Sequence, residues 1–195
     1  MKINEILSVV RGRLENVLQV ASPQAEDWVR LANAGAKDGG DGRDGVNKIT
    51  ISLVGVQADA STSTVSQPKM GPDERYYTAY PSLYLNLYIM IAADFTDENY
   101  EAGLVRLSSV ISYFQQSPVL NRANSPDLPE DVEQLVVDFA NLDFADVGHL
   151  MAAAGRKYAP AVFYRLRRLA FTGAVAGVAP PVTSVGGANV LPGTA

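Results

Sequence analysis

The feature that most constrains the fold is the stretch between Pro81 and Pro118, where a long alternating segment runs directly into an amphipathic one. Residues 83–95 place an apolar side chain at every odd position, and successive side chains of a strand point to opposite faces of the sheet. The even positions include two tyrosines, an asparagine and a methionine, where a solvent-facing strand would carry several charges. We therefore predict a strand that is buried on its aliphatic face and covered on its other face as well.

The second half of the stretch predicts a helix. Thr96 is suited to the N-cap position, and Asp97 and Glu98 suit the positive end of the helix dipole. Pro118 cannot continue the helix. Apolar residues recur between these ends at steps of three and four, which predicts a single stripe packed on the sheet: Tyr100, Leu104, Leu107, Val110, Ile111 and Phe114.

Both faces of the strand need partners. We expect the aliphatic face of residues 83–95 to pack against the helices of the domain. We expect the face that carries Tyr84, Asn86 and Tyr88 to be covered for most of its length by an N-terminal helix over residues 2–19. A neighbouring subunit is expected near Phe95.

The rest of the pattern completes a layered domain. Gly55 marks a bulge in one strand, because the apolar phase slips there. Asp143 is suited to cap a short helix that Gly155 terminates. The predicted strands are residues 28–31, 48–57, 83–95, 133–140 and 161–171. The predicted fold class is α/β (α+β), a single domain with a mixed sheet of about four to five strands flanked by helices.

Composition excludes several classes of protein. The 195 residues are 47% apolar, which is enough to fill one core, and the net charge of −5 argues against a nucleic-acid backbone as the main partner. The absence of cysteine excludes disulfides and thiolate chemistry. The N-terminus does not resemble a signal peptide, and no apolar run approaches the roughly 20 residues of a membrane span. We expect a soluble protein of the bacterial cytoplasm.

Two blocks of unmixed charge stand out. Residues 127–146 carry acids and no base, whereas residues 156–168 carry bases and no acid. One interpretation is two solvated faces; the other is a subunit that meets identical copies head to tail, a contact that can close into a ring. The candidate interface residues are Asp127, Glu130, Asp131, Asp143 and Asp146 in the acidic block and Arg156, Lys157, Arg165, Arg167 and Arg168 in the basic block.

Three further segments are predicted to lack a core of their own. Residues 35–45 are rich in glycine and aspartate, and residues 58–80 form a polar loop. Residues 173–195 contain no charged residue and follow a domain predicted to span residues 1–172. This tail is expected to be flexible. The alternative is an extended arm that adds to the sheet edge of a neighbour.

No catalytic, cofactor or metal site is predicted. His149 is the only histidine, so we interpret it as structural, and no second histidine or cysteine is present to build a zinc site. No phosphate-binding or dinucleotide-binding glycine pattern follows a strand. Asp38, Asp41 and Asp44 are three residues apart, whereas a calcium loop places its ligands every two residues. A flexible loop is the preferred interpretation there.

An ordered set of segments resembles one known family. In chain order these are INEILSVVRGRLENVL, NKITISLVGV, PSLYLNLYIMIAADFTDENYEAGLVRLSSVISYFQQSPVL and LVVDFANLDFADVGHLMAAAGRKYAPAVFYRLRRLAF. Together they cover most of residues 2–171. The set resembles the tail-terminator, or cap, proteins of phage-tail-like contractile injection systems. The match is distinctive as an order of segments, although none of them is a chemical signature.

The resemblance implies a structural protein with no enzymatic activity and no catalytic residues. Such caps are expected to form a homohexameric ring on the last layer of the inner tube and sheath, where they end polymerisation and stabilise the extended particle. The implied partners are further copies of the chain, the inner tube protein and the sheath protein. Residues 58–80 and the tail are candidate contacts to tube or sheath. Assembly is expected in the bacterial cytoplasm, within a particle that is released or anchored.

Two alternatives stay open at this point. The chain could be another tail-completion or baseplate subunit of the same machine. It could instead be a small-ligand-binding or enzymatic α/β domain, which a pocket with a perturbed acid near His149 and Asp146 would favour.

Overall fold

The computed structural model describes residues 2–21, 23, 27–34, 47–59, 69–70, 76–79, 83–155, 158–171 and 175–178. The chain divides into two compact units, residues 1–62 with 84–171 and residues 63–83 with 172–195. The helices are α1 (Ile3–Ala21), α2 (Tyr100–Gln116) and α3 (Phe144–Ala153). The strands are β1 (Val29–Leu31), β2 (Lys48–Ala58), β3 (Lys69–Met70), β4 (Tyr76–Ala79), β5 (Leu83–Asp94), β6 (Val119–Asn121), β7 (Gln134–Phe139), β8 (Ala161–Phe171) and β9 (Val175–Val178).

The first unit is built on a mixed sheet of six strands in the order β1-β2-β5-β8-β7-β6. Strand β1 is parallel to β2, whereas β2–β5, β6–β7 and β7–β8 are antiparallel. The amide of Ala93 donates to the carbonyl of Pro160 at 2.9 Å, which places the end of β5 beside the start of β8. The predicted α/β domain with a mixed sheet is confirmed. The sheet has one strand more than expected, because β6 is only three residues long and left no periodic signal.

Strand β5 lies inside this sheet, and its aliphatic face is the centre of the core. Leu87, Ile89 and Ile91 are completely buried. They share one apolar cluster with residues of two helices: Ile6, Val10, Leu14 and Leu18 of α1, and Leu107, Val110 and Phe114 of α2. The expected helical cover of the aliphatic face is therefore confirmed.

The expectation that the N-terminal helix covers the tyrosine face of β5 was wrong. Helix α1 joins α2 on the aliphatic face, because the buried stripe of α1 is wholly apolar and packs against the apolar side chains of that face. The opposite face presents buried polar groups such as Thr50, Ser52 and Asn86. Helix α3 covers part of that face, where Met90, Met151 and Phe163 form a second, smaller cluster.

Helix α1 and strand β1 are joined by the side chain of Glu15. Its two carboxylate oxygens accept hydrogen bonds from the backbone amides of Trp28 at 3.0 Å and Val29 at 2.8 Å. The guanidinium carbon of Arg106 lies 3.6 Å from the centre of the Trp28 ring, a cation–π contact that also brings in α2. Burial lowers the pKa of Arg106 below its ordinary value.

The start of α2 departs from the prediction in two ways. A 3-10 turn over Asp97–Asn99 precedes the helix, and the Thr96 side chain makes no capping hydrogen bond. The stripe that faces the core consists of Gly103, Leu107, Val110 and Phe114. The other members of the predicted stripe, Tyr100, Leu104 and Ile111, are each more than one-third exposed.

The close contact between Phe95 and Gly103 explains this rotation of α2. A methyl group added at Gly103 would lie 2.8 Å from two ring carbons of Phe95. Only glycine lets the helix approach the ring so closely, so the Gly103 side of α2 faces the sheet. Phe95, where a neighbouring subunit was expected, thus contacts its own chain.

Several local predictions are confirmed. The register of β2 against β5 shifts between Leu53 and Gly55, as the phase slip indicated. The Asp143 carboxylate accepts a hydrogen bond from the Asp146 amide at 2.8 Å and so caps α3. Gly155 follows α3 with a φ of +62°, a left-handed conformation typical of the residue after a helix.

The second unit contains a three-stranded sheet in the order β3-β4-β9. Two of its strands lie within residues 58–80, which the sequence predicted as a loop. Strand β9 comes from the predicted tail, and it pairs antiparallel with β4 of the same chain. Residues 60–68, 71–75 and 179–195 lie outside the described residues, as do residues 35–45 with their three aspartates. The division into a domain of residues 1–172 and a tail of 173–195 stays a prediction.

Replacing Gly103 with alanine is expected to destabilise the fold although alanine is the better helix former. The new methyl group must displace the Phe95 ring near its base, and overpacking of this kind costs about 1–3 kcal/mol. Gly12 in α1 is the matched control, because a methyl group added there would have no atom within 4 Å apart from the backbone of its own helix and its chain neighbours. Gly12→Ala should raise the free energy of unfolding by up to about 1 kcal/mol. Urea denaturation measures the change in the free energy of unfolding for each variant. An increase for Gly103→Ala would contradict the packing argument.

Candidate assembly surfaces

Two arginines of the predicted basic block are paired within the chain. On adjacent strands β7 and β8, Asp138 lies opposite Arg165 and accepts hydrogen bonds from Arg165 at 3.2 Å and from Arg167 at 3.0 Å. Burial lowers the pKa of Arg165, but hydrogen bonds to Asp138 and to Tyr88 raise it above its ordinary value. The acidic and basic blocks therefore meet across one pair of strands.

Three residues of the acidic block also have roles inside the chain. Asp127 forms an ion pair with Arg13 of α1 at 3.2 Å. The backbone carbonyl of Glu130 accepts a hydrogen bond from Arg122 at 2.6 Å. Asp143 caps α3. All three contacts lie within one chain.

The remaining candidates are exposed or lie outside the described residues. Asp131, Asp146 and Arg168 are exposed. Arg168 has a φ of +67°, and this conformation interrupts the alternation of β8. Arg156 and Lys157 lie outside the described residues. The part that any of the ten charged residues plays between subunits stays a prediction.

Sequence reasoning missed a surface that is more distinctive than the charge blocks. Phe144 is 97% exposed, Tyr158 79% and Phe139 57%. These three aromatic side chains, which we call the aromatic patch, surround a pocket of about 160 Å³ where β7 leads into α3. The other residues lining the pocket are uncharged: Ala140, Asn141, Leu142, Val147, Ala159, Ala161, Val162 and Phe163. Contiguous exposed apolar patches are a common feature of surfaces that bind other molecules.

The sequence pattern concealed this patch. Phe144 lies three and seven residues before Val147 and Met151, so helical periodicity predicts that all three face the core. Met151 is buried against Met90, whereas Phe144, in the first turn of α3, is 97% exposed. Helical spacing alone therefore does not distinguish the buried member of this set from the exposed one.

A second uncharged surface lies between the two long helices. It is a groove of about 500 Å³ on the side of α2 opposite the buried Leu107, and we call it the α1–α2 groove. Val105, which lines it, is 64% exposed. The other lining residues are Val17, Ala21, Ser108, Ser109, Ser112, Tyr113 and Gln116. The hydroxyls of Ser108 and Ser109 donate hydrogen bonds to backbone carbonyls one turn earlier. These two polar groups of the groove therefore already have partners within the helix.

The region around His149 offers a plain solvent-exposed helix surface. His149 and Asp146 are both exposed on α3, and neither lines the two pockets described above. Within the part of the chain that the structure describes, no group of three or more metal-ligating side chains is found. Over the same residues, no helix is long and apolar enough to cross a membrane.

Tyr164 connects the aromatic patch to the core. Its ring centre lies 5.5 Å from that of Phe139, edge to face, and 4.9 Å from that of Phe114 on α2. The side chain is almost completely buried. Burial raises the pKa of the Tyr164 hydroxyl to about 12, because an ionised phenolate loses its hydration there.

Comparison with known proteins identifies the family of this chain. The model of the family described as the Pvc16 N-terminal domain matches residues 5–184. The chain belongs to this family. A search of curated protein sequences finds no match.

Two solved structures resemble this member of the Pvc16 N-terminal domain family. One is the sheath/tube terminator of an extracellular contractile injection system, PVC, in the extended state, with a TM-score of 0.59 and 12% identity over 100% of this chain. The other is the tube-terminating cap of the anti-feeding prophage, with a TM-score of 0.53 and 13% identity over 90% of this chain. The chain spans only 65% and 58% of the lengths of those proteins. The resemblance noted in the sequence is thus confirmed at the level of family and fold.

The Tyr164 hydroxyl is expected to make the fold sensitive to alkali. Since its folded pKa is raised, the unfolded chain ionises first, near pH 10, and stability falls as pH rises from about 10 to 12. A difference of about two units corresponds to roughly 3 kcal/mol. Tyr164→Phe should therefore lose less stability than the parent over this range, by up to that amount, in urea denaturation at a series of pH values. Parallel curves for the two proteins would show that the hydroxyl titrates normally.

Proposed function

We propose that this chain is a structural cap of a contractile injection system, which forms a ring on the end of the inner tube and sheath and stops their polymerisation. The observation that carries the proposal is the match of the whole fold to a protein described as a sheath/tube terminator, together with the family model over residues 5–184. In the proposed assembly the partners are identical copies, the inner tube protein and the sheath protein. We propose six copies in a ring and assembly in the bacterial cytoplasm.

The described surfaces support a binding role. Both pockets are lined by apolar and uncharged polar side chains, which suit contact with another protein surface. Their lining contains no carboxylate, histidine or lysine that could act as an acid or base at neutral pH. The proposed cap acts by occupying the end of the tube, so shape and surface chemistry are sufficient for it.

Electron microscopy of the purified chain, alone and mixed with assembled tubes, tests the cap. We expect sixfold rings, and tubes whose mean length falls as the ratio of cap to tube subunits rises. Tubes grown with serum albumin in place of the cap serve as the control. A chain that stays monomeric and leaves tube length unchanged would refute the proposal.

Arg168 offers a cleaner test of the charge blocks than Arg167 does, because Arg167 is paired with Asp138 in its own chain. If the basic block binds the acidic block of a neighbour, Arg168→Glu should shift the ring to lower mass, and more strongly at low salt, where Coulomb forces are least screened. Arg168→Lys is the control, since it keeps a positive charge at the same position of β8. Sedimentation velocity at two salt concentrations measures both variants. Unchanged mass for Arg168→Glu would leave the charge blocks as solvated faces.

A further inference from the structure

We propose that the aromatic patch of one copy docks into the α1–α2 groove of a second copy, so that the chains join head to tail. This inference rests on the proposed ring and names the surfaces that would build it. It starts from two exposed, uncharged surfaces, the patch formed by Phe139, Phe144 and Tyr158 and the groove lined by Val17, Ala21 and Val105.

The two surfaces occupy different parts of the fold. The groove belongs to α1 and α2, the helices that cover the aliphatic face of the sheet, and it points away from that face. The patch belongs to the end of β7, the start of α3 and the segment before β8. A contact that joins two different surfaces of identical chains is heterologous, and repetition of the same rotation closes it into a ring. A patch that met its own copy would instead give a two-fold dimer.

Electrostatics favours a second copy as the occupant. Each chain carries a net charge of −5, so identical copies repel unless the surfaces that meet are uncharged or complementary. Both surfaces are lined without ionisable groups other than tyrosine. Glu101 lies one helical turn before Val105 on the same side of α2 and is exposed. An acid therefore lies beside the groove, while the residues that line the groove and the patch carry no charge at neutral pH.

The size of the patch is consistent with one part of a stable interface. A buried aromatic side chain removes about 150–250 Å² from water, so the three exposed rings offer on the order of 400 Å². A standard interface buries about 800 Å² on each partner. The patch would supply about half of one side, and the pocket beside it lets the partner surface interdigitate with the rings.

Site-specific cross-linking tests this geometry, since the chain has no native cysteine. Phe144→Cys and Val105→Cys are made separately in the full chain, and a short flexible bis-maleimide joins neighbouring thiols without the strict geometry of a disulfide. Head-to-tail docking predicts a covalent dimer when the two variants are mixed and none when either is treated alone. A chain that carries both cysteines should give a ladder of higher oligomers. Val56→Cys, at an exposed position of β2, replaces Val105→Cys in the control mixture.

A second measurement tests the docking even if the two thiols lie too far apart to be cross-linked. Phe144→Ser leaves the core intact because the side chain is 97% exposed, and its circular dichroism and melting temperature should match the parent. Loss of one aromatic anchor at each contact should weaken association by about tenfold or more, seen as a shift from ring to monomer on dilution. Val56→Ser should leave the dilution curve unchanged.

The outcomes separate the inference from the proposed cap. Rings of the parent chain that persist in Phe144→Ser, with no cross-link specific to the mixture, would overturn the docking and leave the cap in place. Cross-linking of Phe144→Cys with itself would also overturn it, because it indicates a two-fold contact. A parent chain that forms no ring, alone or on tube ends, would remove both proposals together.

Discussion

The buried aliphatic face of β5 is the constraint on which the rest of the structure depends. Leu87, Ile89 and Ile91 are completely buried at the centre of the sheet, and they make one face of that sheet a large apolar surface on which the long helices pack. Both α1 and α2 pack there, since burial of an apolar stripe is most favourable in free energy where its neighbours are also apolar. The other face carries buried Thr50 and Asn86. The shorter α3 packs on part of it through the contact of Met151 with Met90.

One close contact then decides which residues of α2 remain outside. Because the Phe95 ring occupies the space that a side chain at position 103 would fill, α2 is rotated so that Gly103 faces the sheet. The rotation buries Leu107, Val110 and Phe114, and it leaves Val105 exposed beside α1. The α1–α2 groove is therefore a consequence of how the core packs.

Charge and apolar surface contribute differently to the proposed ring. The pairing of Asp138 with Arg165 and Arg167 neutralises part of the basic block within one chain, and a partly exposed ion pair contributes little free energy to an interface. Exposed aromatic side chains contribute more, since their burial releases water and costs few rotamers. Uncharged surfaces that bind each other would let chains of like net charge associate without bringing like charges into contact.

The sequence alone determined the α/β class, the long strands, the bulge at Gly55 and the cap of α3, because each depends on residues close together in the chain. The family resemblance also followed from the order of these segments. Only the tertiary structure decided which face of β5 each helix covers, and the short strands β6, β3, β4 and β9 left no periodic signal. The exposure of Phe144 was likewise hidden, since helical spacing groups it with buried Met151. Periodicity states which side chains share a side of a helix, but the tertiary contacts decide which of them are covered.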